Sequence, residues 1–493
     1  MPPPPPPQRN NETTTGITPD QPEQLQQQFP NHTPPRFTVD LSVPPEHRYD
    51  HVARHMRDSG AIEDADINAL FSDLLDMITP FDFLNPLLPF CIKAFARFAL
   101  RRVYTDEETA ELKGIVRETN IPLFLLVAFN VLLDLLLGCT TGGVRVGSNA
   151  DEGGDMVHFR TLDWGMDTLR YLVVELDFVR TKGGPVVATT VGYFGYVGVL
   201  TGVRPGLSMS LNHRATHDRS GWLGWWKSLR FRWHQVMVVF GRRPSISSTL
   251  RHYLLTPVGE VTMGQDMKIK RWKSWGGLEM EKMTGTDGTS GGEVAISQGP
   301  PGTEPENPYK RKLRKRKPAS SAPSPISPPE INIEAIISFL TKSPSTAAYL
   351  IFCTPDRVYS LEMDNRAIIS MQTSDEFLVT TNHDVADEGH PEHVQETAAH
   401  QTKMIGMEEI IAESTTRKAG VLKRWEDGKI RREKRRRNRE GVKREDVLEL
   451  LNHNDVTCEL THYAVVMEPK TGRVVWRRVY DVLEEESSEG IKG

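Results

Sequence analysis

The sequence is poor in cysteine. It has four in 493 residues (Cys91, Cys139, Cys353 and Cys458), scattered and without a C-x-x-C pair. That excludes a disulfide-built scaffold and leaves no structural zinc signature. A series of long apolar runs is also missing, which excludes a multi-span membrane protein. One stretch, IPLFLLVAFNVLLDLLLG at 121–138, is near the lower limit for a spanning helix and carries Asn130 and Asp134. A carboxylate is costly in lipid, so a buried or interface-facing helix is expected there. The opening MPPPPPPQRNNETTTG has no apolar h-region. It does not read as a secretory signal, and residues 1–36 read as a disordered Pro/Gln-rich tail. With 38% hydrophobic and 25% charged residues, the chain fits a globular protein with disordered inserts, not a collagen or a wholly disordered chain.

The net charge of −5 hides a division. KRKLRKRK at 310–317 carries seven basic residues, and 423–444 carries twelve basic and four acidic residues. The rest of the chain is acidic. Such runs can bind anionic lipid, nucleic acid or an import receptor, or can simply be solvated inserts.

The pattern along the chain gives the organisation. Residues 37–138 read as a strand followed by helices. Within them, 61–104 is unusually apolar and is broken by Pro80, Pro86 and Pro89. That segment is either ordinary helix packing or a greasy surface that meets lipid. Residues 139–262 read as strands at 157–164, 170–179, 185–201 and 207–212, then helices at 221–240 and 247–255. Residues 263–330 read as a disordered basic insert. Residues 331–493 return to a helix at 331–340 and to strands at 347–352, 357–363, 367–372 and 376–381. A charged helical insert at about 404–451 and a final hairpin, 460–467 with 473–480, follow. Helices, strands, helices, strands imply one layered α+β domain.

Cys139 is the candidate nucleophile. It stands where the apolar helix meets a Gly-rich strand, in LLLGCTTGGVRVG. A thiol at such a junction is expected to face a cleft, although a lone free cysteine more often fills a core. Downstream come Arg160 and Asp163 in HFRTLDWG, the block YFGYVGVLTGVRPGLSMSLNHR at 193–214, and Asn382 in FLVTTNHD. Taken singly, Arg160 and Asp163 could be a structural ion pair, and Asn382 a turn residue.

In this order, C-T-T, R-T-L-D-W-G, GYVGVLTGVRPGLSMSLNHR and VTTNHD resemble the acid ceramidase and N-acylethanolamine acid amidase family of N-terminal-nucleophile (Ntn) hydrolases. PRFTVDLSVPPEHRYDHV and THYAVVMEPKTGRV resemble the first and last strands of that family. The resemblance covers roughly residues 35–257 and 330–480. It implies a four-layer αββα Ntn fold. It also implies a precursor that cuts itself at Gly138–Cys139 into an α chain and a β chain. It implies that Arg160 and Asp163 tune Cys139 and that Asn382 donates to the oxyanion. Asn212, His213, Arg214 and Arg417 are the supporting residues. His213 replaces a family Glu, and Arg417, in STTRKAG, is reached only by allowing an insertion.

The implied activity is hydrolysis of the N-acyl bond of ceramide, with N-acylethanolamines or other N-acyl amines as the alternative. A non-catalytic membrane- or nucleic-acid-binding relative is the third reading. No cofactor and no metal are expected. The expected partners are a lipid amide and an anionic membrane surface, not nucleic acid. The resemblance suggests a lysosomal, vacuolar or secreted location, which the missing signal sequence does not support.

Overall fold

The computed structural model describes residues 32–66, 96–132, 138–147, 154–217, 222, 224–256, 332–342, 344–365, 367–400, 407–434, 441–453 and 456–481. They belong to one compact unit comprising 1–263 and 328–493; the second unit, 264–327, lies outside them. The apolar segment at 67–95 and the insert at 263–330 also lie outside the described residues, and the tail can be compared only from residue 32.

Two sheets form the centre. The first has the order β1 (Arg36–Asp40), β4 (Val173–Val179), β5 (Val186–Tyr193), β6 (Thr201–Arg204), β7 (Leu207–His213), β8 (Ala348–Cys353), β9 (Val358–Asp364), β10 (Ala367–Ser374). The second has the order β11 (Phe377–Thr380), β2 (Gly138–Val146), β3 (Asp155–Asp163), β12 (Thr461–Glu468), β13 (Arg473–Val479). Every neighbouring pair is antiparallel except β1 with β4.

Strand alternation sorts the second sheet into two faces. Cys139, Leu162, Tyr463, Val465 and Met467 join the core shared with the first sheet. Val144, Val157, Phe159, Ala464 and Val466 face a separate cluster with Val421, Val447 and Leu451. These last three come from α9 (Ser414–Lys434) and α10 (Arg444–Leu451). On the other side, α2 (Asp106–Thr119), α3 (Leu123–Leu132) and α5 (Ile246–Leu255) pack with the first sheet. Helix, sheet, sheet, helix is the four-layer α+β arrangement.

The local chemistry explains the ends of these helices. Thr105 caps α2, its hydroxyl accepting from Glu108 N, and Asn120 closes that helix in the left-handed conformation at φ 60°. Asn130 on α3 is buried yet satisfied. Its Nδ2 donates to Leu126 O and Gly195 O, and its Oδ1 accepts from Val197 N. It is therefore a clip between helix and sheet, which accounts for a polar residue in so apolar a helix. No described helix is long and apolar enough to cross a membrane.

Three expectations need correction. The strand expected at 170–179 starts only at Val173, because Asp167–Leu172 is a 3-10 turn held by Arg170 on Asp167 and on the carbonyl of Thr461. The strand expected at 185–201 is two strands, β5 and β6, separated by a turn with Gly195 at φ 83°. The insert expected at about 404–451 contains three helices: α8 (Met407–Ala412), α9 and α10. It is not simply solvated charge. Trp425 of α9 stacks on Phe377 with 4.3 Å between ring centroids, so the segment forms the outer layer of the fold.

Candidate active site

β2 and β3 set the geometry. Cys139 lies opposite Leu162, and Thr141 opposite Arg160. Residues directly opposite share a face, so Cys139 and Arg160 both point between the sheets. Asp163, an odd number of residues from Arg160, points to the helix layer. The two residues of HFRTLDWG therefore act on opposite sides of the strand.

Arg160 is fully buried. Its Nη2 donates to Cys139 Sγ at 3.0 Å and to Leu211 O at 2.6 Å. Its Nη1 donates to Thr201 Oγ1 at 2.6 Å and to Leu200 O. Thr201 in turn meets the Tyr463 hydroxyl at 2.9 Å. The guanidinium is thus fixed by β6, β7 and β12 together. Burial pushes the Cys139 thiol up from its ordinary value, and the Arg160 charge works against that rise.

The backbone N–H of Cys139 donates to Asn382 Oδ1 at 2.9 Å. Asn382 Nδ2 donates to His213 O at 2.9 Å. Arg417 of α9 donates to Asp163 Oδ2 at 2.7 Å, to Asn382 Oδ1 at 3.3 Å and to Ile410 O at 2.8 Å. Thr461 holds the other Asp163 oxygen at 2.7 Å. Burial pushes the Asp163 carboxyl up, with Arg417 and Thr461 pulling it back.

The fold brings together Cys139, Arg160, Asp163, Asn382 and Arg417, which are up to 278 positions apart in sequence. The remaining support residues divide. Asn212 Nδ2 reaches Thr380 O and Thr381 O at 3.5 and 3.4 Å, across to the end of β11. Arg214 does not reach Cys139; it forms a two-pronged pair with Asp384 at 2.7 and 2.6 Å. His213 contributes its carbonyl. Among the described residues its ring nitrogens have no hydrogen-bond partner, and burial pushes the imidazole down to about 4. A cationic His213 at mildly acidic pH is therefore not what the structure holds. Nor does the thiol face a cleft: Cys139 is fully buried between the sheets.

A family profile described as the beta subunit of N-acylethanolamine-hydrolyzing acid amidase matches residues 32–99. Acid ceramidase of Heterocephalus glaber is 28% identical over 209 residues, 38% of this chain and 48% of that protein. The N-acylethanolamine-hydrolyzing acid amidase of Caenorhabditis elegans is 36% identical over 141 residues, 26% of this chain and 37% of that protein. In these stretches the chain is similar to acid ceramidases and N-acylethanolamine-hydrolyzing acid amidases. It spans about half or less of the length of these relatives. The solved Caenorhabditis elegans N-acylethanolamine-hydrolyzing acid amidase (NAAA) ortholog covers 69% of this chain and 100% of its own, at 15% identity and a TM-score of 0.34.

Sequence reasoning missed the groups that hold the site in place. Ser414, the first residue of α9, accepts from Asn382 N at 2.7 Å and bonds His383 Nδ1 at 2.8 Å. Thr461 and Thr201 were equally invisible, since a lone hydroxyl carries no signal until its partner is known. Among the described residues no cluster of His, Cys, Asp and Glu could hold a metal ion.

Proposed function

We propose that this chain is a lipid amidase whose nucleophile, Cys139, becomes N-terminal when the Gly138–Cys139 bond cuts itself. One observation carries the reading. Arg160 holds the Cys139 sulfur at 3.0 Å while Asn382 holds the nitrogen of the same residue at 2.9 Å. The nitrogen that gives up the Gly138 acyl group in an N-to-S shift and the sulfur that takes it are held by different elements.

In that step Sγ gives up its proton and attacks the Gly138 carbonyl carbon. The C–N bond breaks and the nitrogen takes a proton. Water then opens the thioester, leaving the Gly138 carboxylate, a free thiol and a free α-amine. An α-amine has a pKa of ~7.7–8.0, suited to taking the thiol proton in turnover. The thiolate attacks the substrate amide, the amine product departs with a proton, and water releases the fatty acid from the acyl-thioester. Arg160 opposes the desolvation of the thiolate. Asp163 and Arg417 fix the strand and Asn382 from behind. Asn382 keeps its Oδ1 for the new amine and offers Nδ2 to the oxyanion, a role worth ~2.7–4 kcal/mol in a comparable hydrolase. On this reading residues 37–138 supply the α chain, and the β chain starts at Cys139.

Ceramide is the proposed substrate, since the acid ceramidase alignment is the longer of the two reported above. N-Acylethanolamines are the alternative, because apolar pockets separate such tails by only about 1–3 kcal/mol per methylene. Access to a bilayer-borne amide is supported by α4 (Gly224–Val239). Its Trp225, Trp226, Leu229 and Trp233 are exposed and interleaved with Lys227, Arg230 and Arg232.

The test is intact mass and N-terminal sequencing after incubation at acidic pH, with Cys139→Ala alongside. Assays on ceramide and on an N-acylethanolamine follow. A chain starting at Cys139, absent from the variant, is expected. An uncut chain at every pH, with no amide hydrolysis, overturns the reading.

A further inference from the structure

The turn between β5 and β6, residues 194–200, is gripped by helices from both sides of the Gly138–Cys139 bond. Asn130 of α3 takes two of its backbone groups: Nδ2 donates to Gly195 O at 2.7 Å, and Val197 N donates to Oδ1 at 2.8 Å. The other Nδ2 hydrogen goes to Leu126 O, so both amide hydrogens are used and the orientation of the group is fixed. Phe129, beside it on α3, sets its ring edge-on to Tyr196 at 5.8 Å between centroids. From α5, Arg251 Nη1 donates to Val197 O at 2.7 Å, and Ser247 O accepts from Val199 N at 3.1 Å. Arg251 is itself held by Glu111 of α2 at 2.7 Å, which also takes Arg48, just before α1 (Asp50–Asp58). A Cβ on Gly198 would lie 2.6 Å from Ser247 Oγ, so turn and helix meet with no spare room.

The far end of this turn holds Arg160. Leu200 O and Thr201 Oγ1 accept from its Nη1, while Nη2 reaches Cys139 Sγ. Support for that end is one-sided. β7 pairs with Thr201 through Ser210, but the β5–β6 ladder covers only Thr189 with Val203 and Thr190 with Gly202. On the side away from β7, Leu200 and Thr201 therefore depend on the turn. A side chain that acts on a reacting atom keeps its aim only as well as the groups behind it are fixed. We propose that Asn130 is a positioning residue for Arg160: it fixes the turn whose end carries the two acceptors that aim the guanidinium at Cys139 Sγ. The role rests on the amidase reading above, in which Asn130 lies in the α chain and the turn in the β chain. The α chain then keeps a task after the cut, as the brace of Arg160.

The test is steady-state kinetics on the full chain after incubation at acidic pH. The substrates are N-dodecanoylsphingosine and N-hexadecanoylethanolamine, and rates are taken per cut chain as measured by mass. Asn130→Leu keeps the size of the side chain and leaves Gly195 O and Val197 N unpaired. Asn130→Asp is the second variant, should the first not fold. Burial keeps the introduced carboxyl protonated in acid, where its O–H and C=O replace the amide; as pH rises it ionises, and Gly195 O then meets an acceptor. Ser248→Ala is the control. It removes a hydroxyl that joins α5 to Glu108 of α2 at 2.9 Å and makes no hydrogen bond to the turn. In Asn130→Leu, kcat is expected to fall by about tenfold or more with KM within about threefold of wild type. In Asn130→Asp, kcat is expected near wild type in acid and increasingly below it towards neutrality. Ser248→Ala keeps its kcat. A role in packing alone would lower the melting temperature of Asn130→Leu and leave kcat intact; that result overturns the proposal, as does an equal loss of kcat in Ser248→Ala. A wild-type chain that is neither cut nor active takes down the amidase reading and this role with it, whereas an active wild type with an unaffected Asn130→Leu removes the role alone.

Discussion

The buried pair of Arg417 and Asp163 offers the sharpest test of how the site is held. Asp163 is fully buried, and the Arg417 side chain is 7% exposed, at 2.7 Å. In Arg417→Met the carboxylate keeps the Thr461 and Thr161 hydroxyls and loses the cation paired with it. Stranding one member of a buried pair costs ~3–5 kcal/mol. Arg417→Met/Asp163→Asn removes both charges and keeps an acceptor for Thr461, so it should recover all but ~1–2 kcal/mol. The assay is urea unfolding of single and double variants in a Cys139→Ala background, which keeps every chain uncut. The pH dependence has a defined sign. The folded Asp163 carboxyl is raised, so its contribution is present below its ordinary value of 3.8 and is lost as pH rises through the folded value. Removing Arg417 raises it further. The cost of Arg417→Met should therefore be smallest in acid and largest near neutrality. A single-variant loss under ~1 kcal/mol, or a double variant as unstable as the single, would refute the reasoning.

Other outcomes follow from the same geometry. Arg160→Lys cannot span Cys139 Sγ, Thr201 and two carbonyls at once. Charged hydrogen bonds are worth ~1.5–3 kcal/mol each, so self-cleavage should slow by about tenfold or more; an unchanged time course counts against Arg160. A Cβ on Gly138 would collide with Ile410 Cγ2. Gly138→Ala should reduce the processed fraction on a gel and Gly138→Ala/Ile410→Ala should partly restore it; no rescue points instead to the Asp163 carbonyl at 3.1 Å. His213, lowered from 6.5 to about 4, contributes stability that is present above 6.5 and lost as pH falls toward 4. His213→Gln should therefore flatten the acid limb of stability between those values by up to roughly 3 kcal/mol, read from melting temperature against pH. A parallel acid limb in the variant would exclude His213 as its source.

Some of this organisation was legible in the chain itself. The alternation in β3 places Arg160 and Asp163 on opposite faces, because a pleated strand has a side-chain period of two; the pairing of β2 with β3 then puts Cys139 on the Arg160 face. The turn from apolar helix to Gly-rich strand marks Cys139, and the order of the motifs carries the resemblance to the amidase family. What the alternation could not say was which face would meet what. Cys139 points against β7 and is buried, where the sequence had suggested a cleft. Arg214, adjacent to the LNH segment, is turned away to Asp384, while Arg417, 35 residues beyond Asn382, returns to Asp163.

Local propensity also misjudged the basic segment. Its charge pattern reads as a solvated insert, yet Val421 and Trp425 on one side of α9 complete the core beneath β11. The sequence by itself therefore determined most of the strands, the Gly-rich strand that starts beside Cys139 and the kind of side chain available at each step. The tertiary structure alone decided which distant charges share a desolvated space. That is a matter of long-range packing, since only the closing of two sheets and their helices makes Asp163, Arg417 and Asn382 neighbours.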